Sequence, residues 1–136
     1  MPTPVIFNSF KEAVAEGVHD LGNDTLKVAL SNTAPSASNT VFASITEISA
    51  GSGYSAGGTT ATVTTSAQTG GTYSLALDDV VFTASGGNIG PFRYIILYND
   101  TAASDELICY FDYGAAYTLN DGLSFTVNAA TWLQNA

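Results

Sequence analysis

Apolar positions recur at helical spacing only near the start of the chain, where Phe10, Ala13, Val14, Gly17, Val18 and Leu21 fall on one stripe. Ser9 and Glu12 match the S-x-x-E capping box and Gly22 can serve as a C-terminal cap, so the pattern predicts one helix from about Phe10 to Leu21. Gly17 inside the stripe weakens that helix by about 1 kcal/mol relative to alanine. The helix is therefore expected to depend on packing against a sheet of its own domain or a neighbouring subunit.

From Asn23 onward the period changes to alternation, and short runs rich in Thr, Val and Tyr are separated by clusters of Gly, Pro, Asn and Ser. Strands are predicted at Thr25–Ser31, Thr40–Ile48, Thr59–Thr65, Thr72–Leu77, Asp79–Ala84, Phe92–Asn99, Glu106–Tyr113, Ala116–Leu119 and Leu123–Ala129. Leu123-Ser-Phe-Thr-Val-Asn alternates cleanly, as a strand with one buried face does. The run from Phe92 to Tyr98 is apolar on both faces apart from Arg93, which predicts a central strand covered on both sides. Asn120-Asp121-Gly122 is a hairpin turn signal, because these residues tolerate positive φ. The small-residue stretches Gly51–Gly58 and Asn32–Asn39 read as long loops, expected to be mobile unless a partner orders them. The predicted fold class is all-β, a β-sandwich or jelly roll with one N-terminal α-helix. Residues 1–22 form the arm and helix and residues 23–136 the sandwich, a single compact domain overall.

Charge narrows the function classes. Twelve acidic side chains face only Lys11, Lys27 and Arg93, for a formal net charge of −9. Such a surface is repelled by nucleic-acid phosphates and by anionic membranes, so neither is an expected partner. What remains exposed is a weakly charged skin of Ser, Thr, Asn, Gly and Ala, suited to protein contacts because burying a hydroxyl costs less than burying an ion. Apolar runs such as Tyr94 to Tyr98 fall far short of the roughly 18 residues that span a bilayer. The N-terminus lacks the basic head and apolar core of an export signal, and none is expected.

Candidate chemistry is sparse. His19 is the single histidine and Cys109 the single cysteine, and no G-x-S-x-G elbow accompanies them, so no catalytic residue is assigned. One His and one Cys cannot build a zinc tetrahedron. Asp100, Asp105 and Glu106, or Asn120 and Asp121, offer oxygen ligands but match no EF-hand loop and read as turn residues, so neither metal nor cofactor is expected. Gly51–Gly58 lacks the Gly-Lys-Ser/Thr ending of a phosphate loop. Exposed aromatics would suit a carbohydrate-binding module, yet Tyr94, Tyr98, Tyr110, Phe111 and Tyr113 alternate with aliphatics as core strands do.

Four stretches resemble small structural proteins of tailed bacteriophages: Thr25-Leu-Lys-Val-Ala-Leu-Ser-Asn-Thr-Ala-Pro35, Thr46 to Gly58, Gly90-Pro-Phe-Arg-Tyr-Ile-Ile-Leu-Tyr-Asn-Asp100 and Tyr117-Thr-Leu-Asn-Asp-Gly122. The resemblance runs from about Leu21 to Val127. It implies a virion component without a cofactor, of the head decoration or cement type, on the outer surface of the capsid and made in the host bacterial cytoplasm. Its implied partners are the major capsid protein and further copies of itself, as a dimer or trimer. The alternative is a tail- or fibre-associated structural or carbohydrate-binding β module. Candidate interface residues are Val5, Ile6, Phe7 and Phe10 in the arm and helix, Tyr54 in the glycine-rich loop and Trp132 near the C-terminus. Either both ends pack on their own sandwich, or they reach a neighbouring subunit, where buried aromatics carry binding energy.

Overall fold

The computed structural model describes residues 4–127 and, in backbone, residues 133–135. Its architecture is an all-β sandwich with one α-helix. In chain order the elements are β1 (Val5–Ile6), α1 (Asn8–Ala15), β2 (Leu26–Ser31), β3 (Thr59–Ala61), β4 (Val63–Thr69), β5 (Thr72–Leu77), β6 (Val80–Thr83), β7 (Ile89–Asn99), β8 (Leu107–Leu119), β9 (Ser124–Val127) and β10 (Leu133–Asn135). Five strands form one sheet in the order β1-β8-β7-β2-β3; β10-β5-β4 and β6-β9 form the smaller sheets, every pairing antiparallel. No helix among the described residues is long and apolar enough to cross a membrane.

Alternation along the strands sends side chains into two cores. Leu26, Val28 and Leu30 of β2 join Ile95 and Leu97 of β7, Leu75 and Leu77 of β5, Phe82 of β6 and Phe125 of β9 in the larger one. Ala29, Tyr94, Ile96 and Tyr98 point the other way, into a smaller core with Phe7 and Leu107. The segment that covers this second face is the one expected to be a strand at Thr40–Ile48. It forms instead a 3-10 turn at Phe42–Ser44 with single bridges at Val41 and Glu47. Phe42 and Ile45, three residues apart, both reach down to this core, and Phe42 stacks on Tyr98 with ring centroids 4.1 Å apart. A tight turn points such a pair the same way, whereas a strand would send them to opposite faces.

Other boundaries also move. The predicted strand Thr59–Thr65 divides at Thr62, so that β3 pairs with β2 while β4 pairs with β5. Glu106–Tyr113 and Ala116–Leu119 are one strand, β8, bulged at Gly114 (φ +100°). The bulge is held by Asp112, which accepts the Gly114 N–H at 2.9 Å and the Arg93 Nε–H at 2.7 Å.

The helix starts and stops earlier than the capping box implies. Phe7 is its N-cap and Ser9 lies inside it, because Phe7 is fully buried and its backbone N–H bonds to Ile108. It ends in a Schellman motif: Val18 N–H bonds to Ala13 O at 2.8 Å and Gly17 N–H to Val14 O at 3.2 Å. Gly17, at φ +80°, is therefore the terminating residue and not a weak interior position, and Gly22 plays no cap.

Candidate functional site

Two side-chain networks gather most of the chain's chemistry. The first surrounds His19. Asn99, fully buried at the end of β7, accepts the Thr101 and Ala102 backbone N–H groups on Oδ1 at 2.9 and 3.1 Å. Its Nδ2 donates to Asp24 Oδ2 at 2.7 Å and faces His19 Nδ1 at 3.0 Å. Two donors on Oδ1 fix the amide orientation, so Nδ1 of His19 must accept and the neutral ring carries its proton on Nε2. Burial lowers the pKa of His19, opposed by the negative charges of Glu106 and Asp24. Among the described residues, Nε2 is the buried side-chain polar atom without a hydrogen-bond partner.

This arrangement is poorly suited to proton abstraction. His19 lines a hollow of about 500 Å³ with Phe10, Val14, Leu21, Ser66 and Tyr73. The Ser66 hydroxyl is paired with the Tyr73 hydroxyl at 2.6 Å, and the acceptor nitrogen of His19 is taken by Asn99. A general base needs a free lone pair within reach of the proton it removes. Cys109 is fully buried, and desolvation pushes its thiol up to about 12, far from the thiolate form that reacts.

The second network organises the glycine-rich loop. Tyr54 donates its hydroxyl proton to Glu47 Oε2 at 2.5 Å and accepts the buried Leu30 N–H at 3.0 Å. Gly57 N–H donates to the same Glu47 oxygen at 2.7 Å, and the Tyr98 hydroxyl donates to Gly57 O at 2.5 Å. Burial, reinforced for Tyr54 by its bond to Glu47, raises the pKa of both tyrosines. The loop's glycines are required by contact: a Cβ on Gly58 would lie 1.9 Å from Val28 O. Gly51–Gly58 is thus ordered by its own chain, contrary to the expectation that a partner must order it. In the Asn32–Asn39 segment, Asn39 Oδ1 accepts the Ser36 N–H and Ala37 O accepts the Asn8 N–H.

The predicted interface residues separate accordingly. Phe7 is 0%, Phe10 6% and Tyr54 2% exposed, so within the single chain these three candidate interface residues pack as core residues. Ile6 is half-buried and Val5 exposed, both in β1, which pairs with Tyr110 and Cys109 of β8. Residues Val5, Ile6 and Phe7 of the arm thus lie on their own sandwich. Trp132 lies outside the described residues. Sequence reading missed Asn99, Glu47 and Tyr98 as network hubs. An Asn directly after an apolar run signals the local turn that Asn99 makes, but nothing local announces His19 as its partner.

The oxygen-rich turns have partners within the fold. Glu106 Oε1 accepts the Ser104 N–H, Asp100 sits 3.7 Å from Lys27, and Asp121 Oδ1 accepts the Gly86 N–H. No group of three or more potential metal ligands occurs among the described residues. In the middle of β8, beside its bulge, Tyr113 is 45% exposed and meets Tyr117 and Phe125 at centroid distances of 5.8 and 5.4 Å. Comparison with protein-family models, curated proteins and solved structures finds no match to this chain.

Proposed function

We propose that this chain is a non-catalytic structural protein of a tailed-bacteriophage virion: a capsid decoration or cement protein on the outer head surface. It binds the major capsid protein as a homo-oligomer, a dimer or trimer, and stabilises the head by bridging neighbouring subunits. Nucleic acid and membrane are not its partners, and it is made in the host bacterial cytoplasm. One observation carries the reading. The four stretches that resemble phage structural proteins are scattered in sequence but form one continuous block: β2 pairs with β7, Tyr117 pairs with Phe92, Tyr54 bonds to Leu30 and Gly57 to Tyr98. The resemblance thus falls on residues that hold a scaffold together. Bridging then falls to the weakly charged surface, where many small contacts add through effective concentration.

Mass spectrometry of purified particles separated into heads and tails tests this. The protein is expected in heads, and heads lacking it are expected to open at a lower temperature. Absence from heads with presence in tails overturns it in favour of the second reading, a tail- or fibre-associated structural or carbohydrate-binding β module. The exposed Tyr113 ring beside Tyr117 favours that alternative, and loss of glycan binding in Tyr113→Ala would support it.

A further inference from the structure

Exposed sheet edges invite pairing with other chains, and proteins blunt them by shortness, charge, proline or bulges. Most edges here are short: β1 has 2 residues, β3 and β10 have 3, and β6 and β9 have 4 each. Among the described strands that end a sheet the exception is β4, 7 residues long, irregular only between Val63 and Thr65, with every residue from Thr64 to Thr69 exposed; the part of β8 that β1 leaves uncovered is broken by its bulge at Gly114. Strand β4 contains no proline and no charge. In a chain of net charge −9, no charged residue lies between Glu47 and Asp78.

The register shows which backbone groups are free. Thr69 and Thr72 close the Gly70-Gly71 turn as a hydrogen-bonded pair, so by antiparallel alternation Ala67 and Thr65 also bond to β5. The N–H and C=O groups of Ser66 and Gln68 then face outward, away from β5.

We propose that β4 is a pairing edge for a second copy of this chain, the two β4 strands running antiparallel about a two-fold axis at Ala67. That placement sets Ser66 opposite Gln68 of the second copy, so the outward N–H and C=O groups on each side satisfy one another. The small Ala67 side chains meet where the backbones approach most closely. Thr65 falls opposite Thr69 of the second copy, a favourable hydroxyl pairing. Charge selects this occupant over a foreign strand. A cationic partner would be drawn to the carboxylates elsewhere and gains nothing along a neutral strip, whereas two acidic copies meet here without opposing carboxylates. A two-fold interface needs such a self-complementary patch. The inference rests on β4 alone and does not depend on the virion reading.

Sedimentation of the free, full chain across a dilution series tests it. A dimer that dissociates on dilution is expected, and Ala67→Lys, which places like charges face to face at the axis, should be monomeric where the wild type is dimeric, with a melt matching that of the wild type diluted to monomer. Amide exchange in the wild type gives a second readout that needs no variant: Ser66 and Gln68 should become protected as concentration rises. A wild-type monomer throughout, a dimer that Ala67→Lys leaves intact, or exchange at Ser66 and Gln68 independent of concentration overturns the proposal. A monomer that takes up a strand of another protein at β4 overturns it too.

Discussion

Strands β7 and β4 are both long and nearly free of charge, yet they are stabilised in opposite ways. From Tyr94 to Asn99 every residue of β7 is buried, with β2 on one side, β8 on the other and a core against each face. Strand β4 has one neighbour among the described strands, and its residues from Thr64 to Thr69 are exposed. A strand between two neighbours gains from apolar burial on both faces. One at an edge gains chiefly from its ladder of backbone hydrogen bonds, each worth only about 0.5–1.5 kcal/mol net. The same backbone conformation therefore anchors the fold in one place and leaves a usable surface in the other.

The sharpest break in this comparison comes from truncating β7. Leu97 is fully buried in the larger core, and Leu97→Ala is expected to cost about 2–5 kcal/mol, read as a shifted denaturant midpoint at constant slope. A cost below about 1 kcal/mol would mean that the site collapses around the cavity and that β7 is less rigid than its burial implies.

Tyr54→Phe probes the polar tie between the loop and β2 beside β7. It removes the acceptor of the buried Leu30 N–H and the donor to Glu47 while keeping the ring against Phe82. The expected loss is about 1–3 kcal/mol, because a buried donor is left unmade. Hydrogen exchange should accelerate at Leu30 and Gly57, with β4 unaffected.

His19 adds a pH dependence at the end of β7. Its pKa is lowered in the folded chain, so the unfolded chain binds the proton first, and stability must fall as pH drops below the unfolded value of about 6.5 toward the native one. Above that window the contribution is fully present. Melts between about pH 7.5 and pH 5.5 should show this decline in the wild type, and His19→Gln should flatten it. An identical slope in both would show that His19 keeps an ordinary pKa.

The smallest effect belongs to β4. Thr65→Ala changes an exposed side chain and is expected to stay within about 0.5 kcal/mol in the monomer. A cost as large as that of Leu97→Ala would erase the contrast between the two strands.

Much of this was legible in the residues. Alternation in β9, the two-sided apolar run in β7 and the change of period after the helix all report which neighbours a strand must have, because side-chain direction repeats every two residues in a strand and every 3.6 in a helix. The Thr40–Ile48 segment shows where that signal fails: its apolar residues are spaced for a covering turn, and only the presence of Tyr98 beneath Phe42 decides between turn and strand.

The sequence by itself determined the class of fold, its central strand and its shortage of positive charge, since these depend on composition and on residues a few positions apart, whereas the expected hairpin at Asn120-Asp121-Gly122 is not formed, because β9 pairs with β6 and not with β8. The tertiary structure alone decided that Phe7 and Tyr54 are core residues, that His19 is held neutral and that β4 is the open edge. Those outcomes rest on partners distant in the chain: Tyr54 meets Leu30 across 24 residues and Asn99 meets His19 across 80. No local periodicity carries such distances, because burial is a property of what the rest of the chain places overhead.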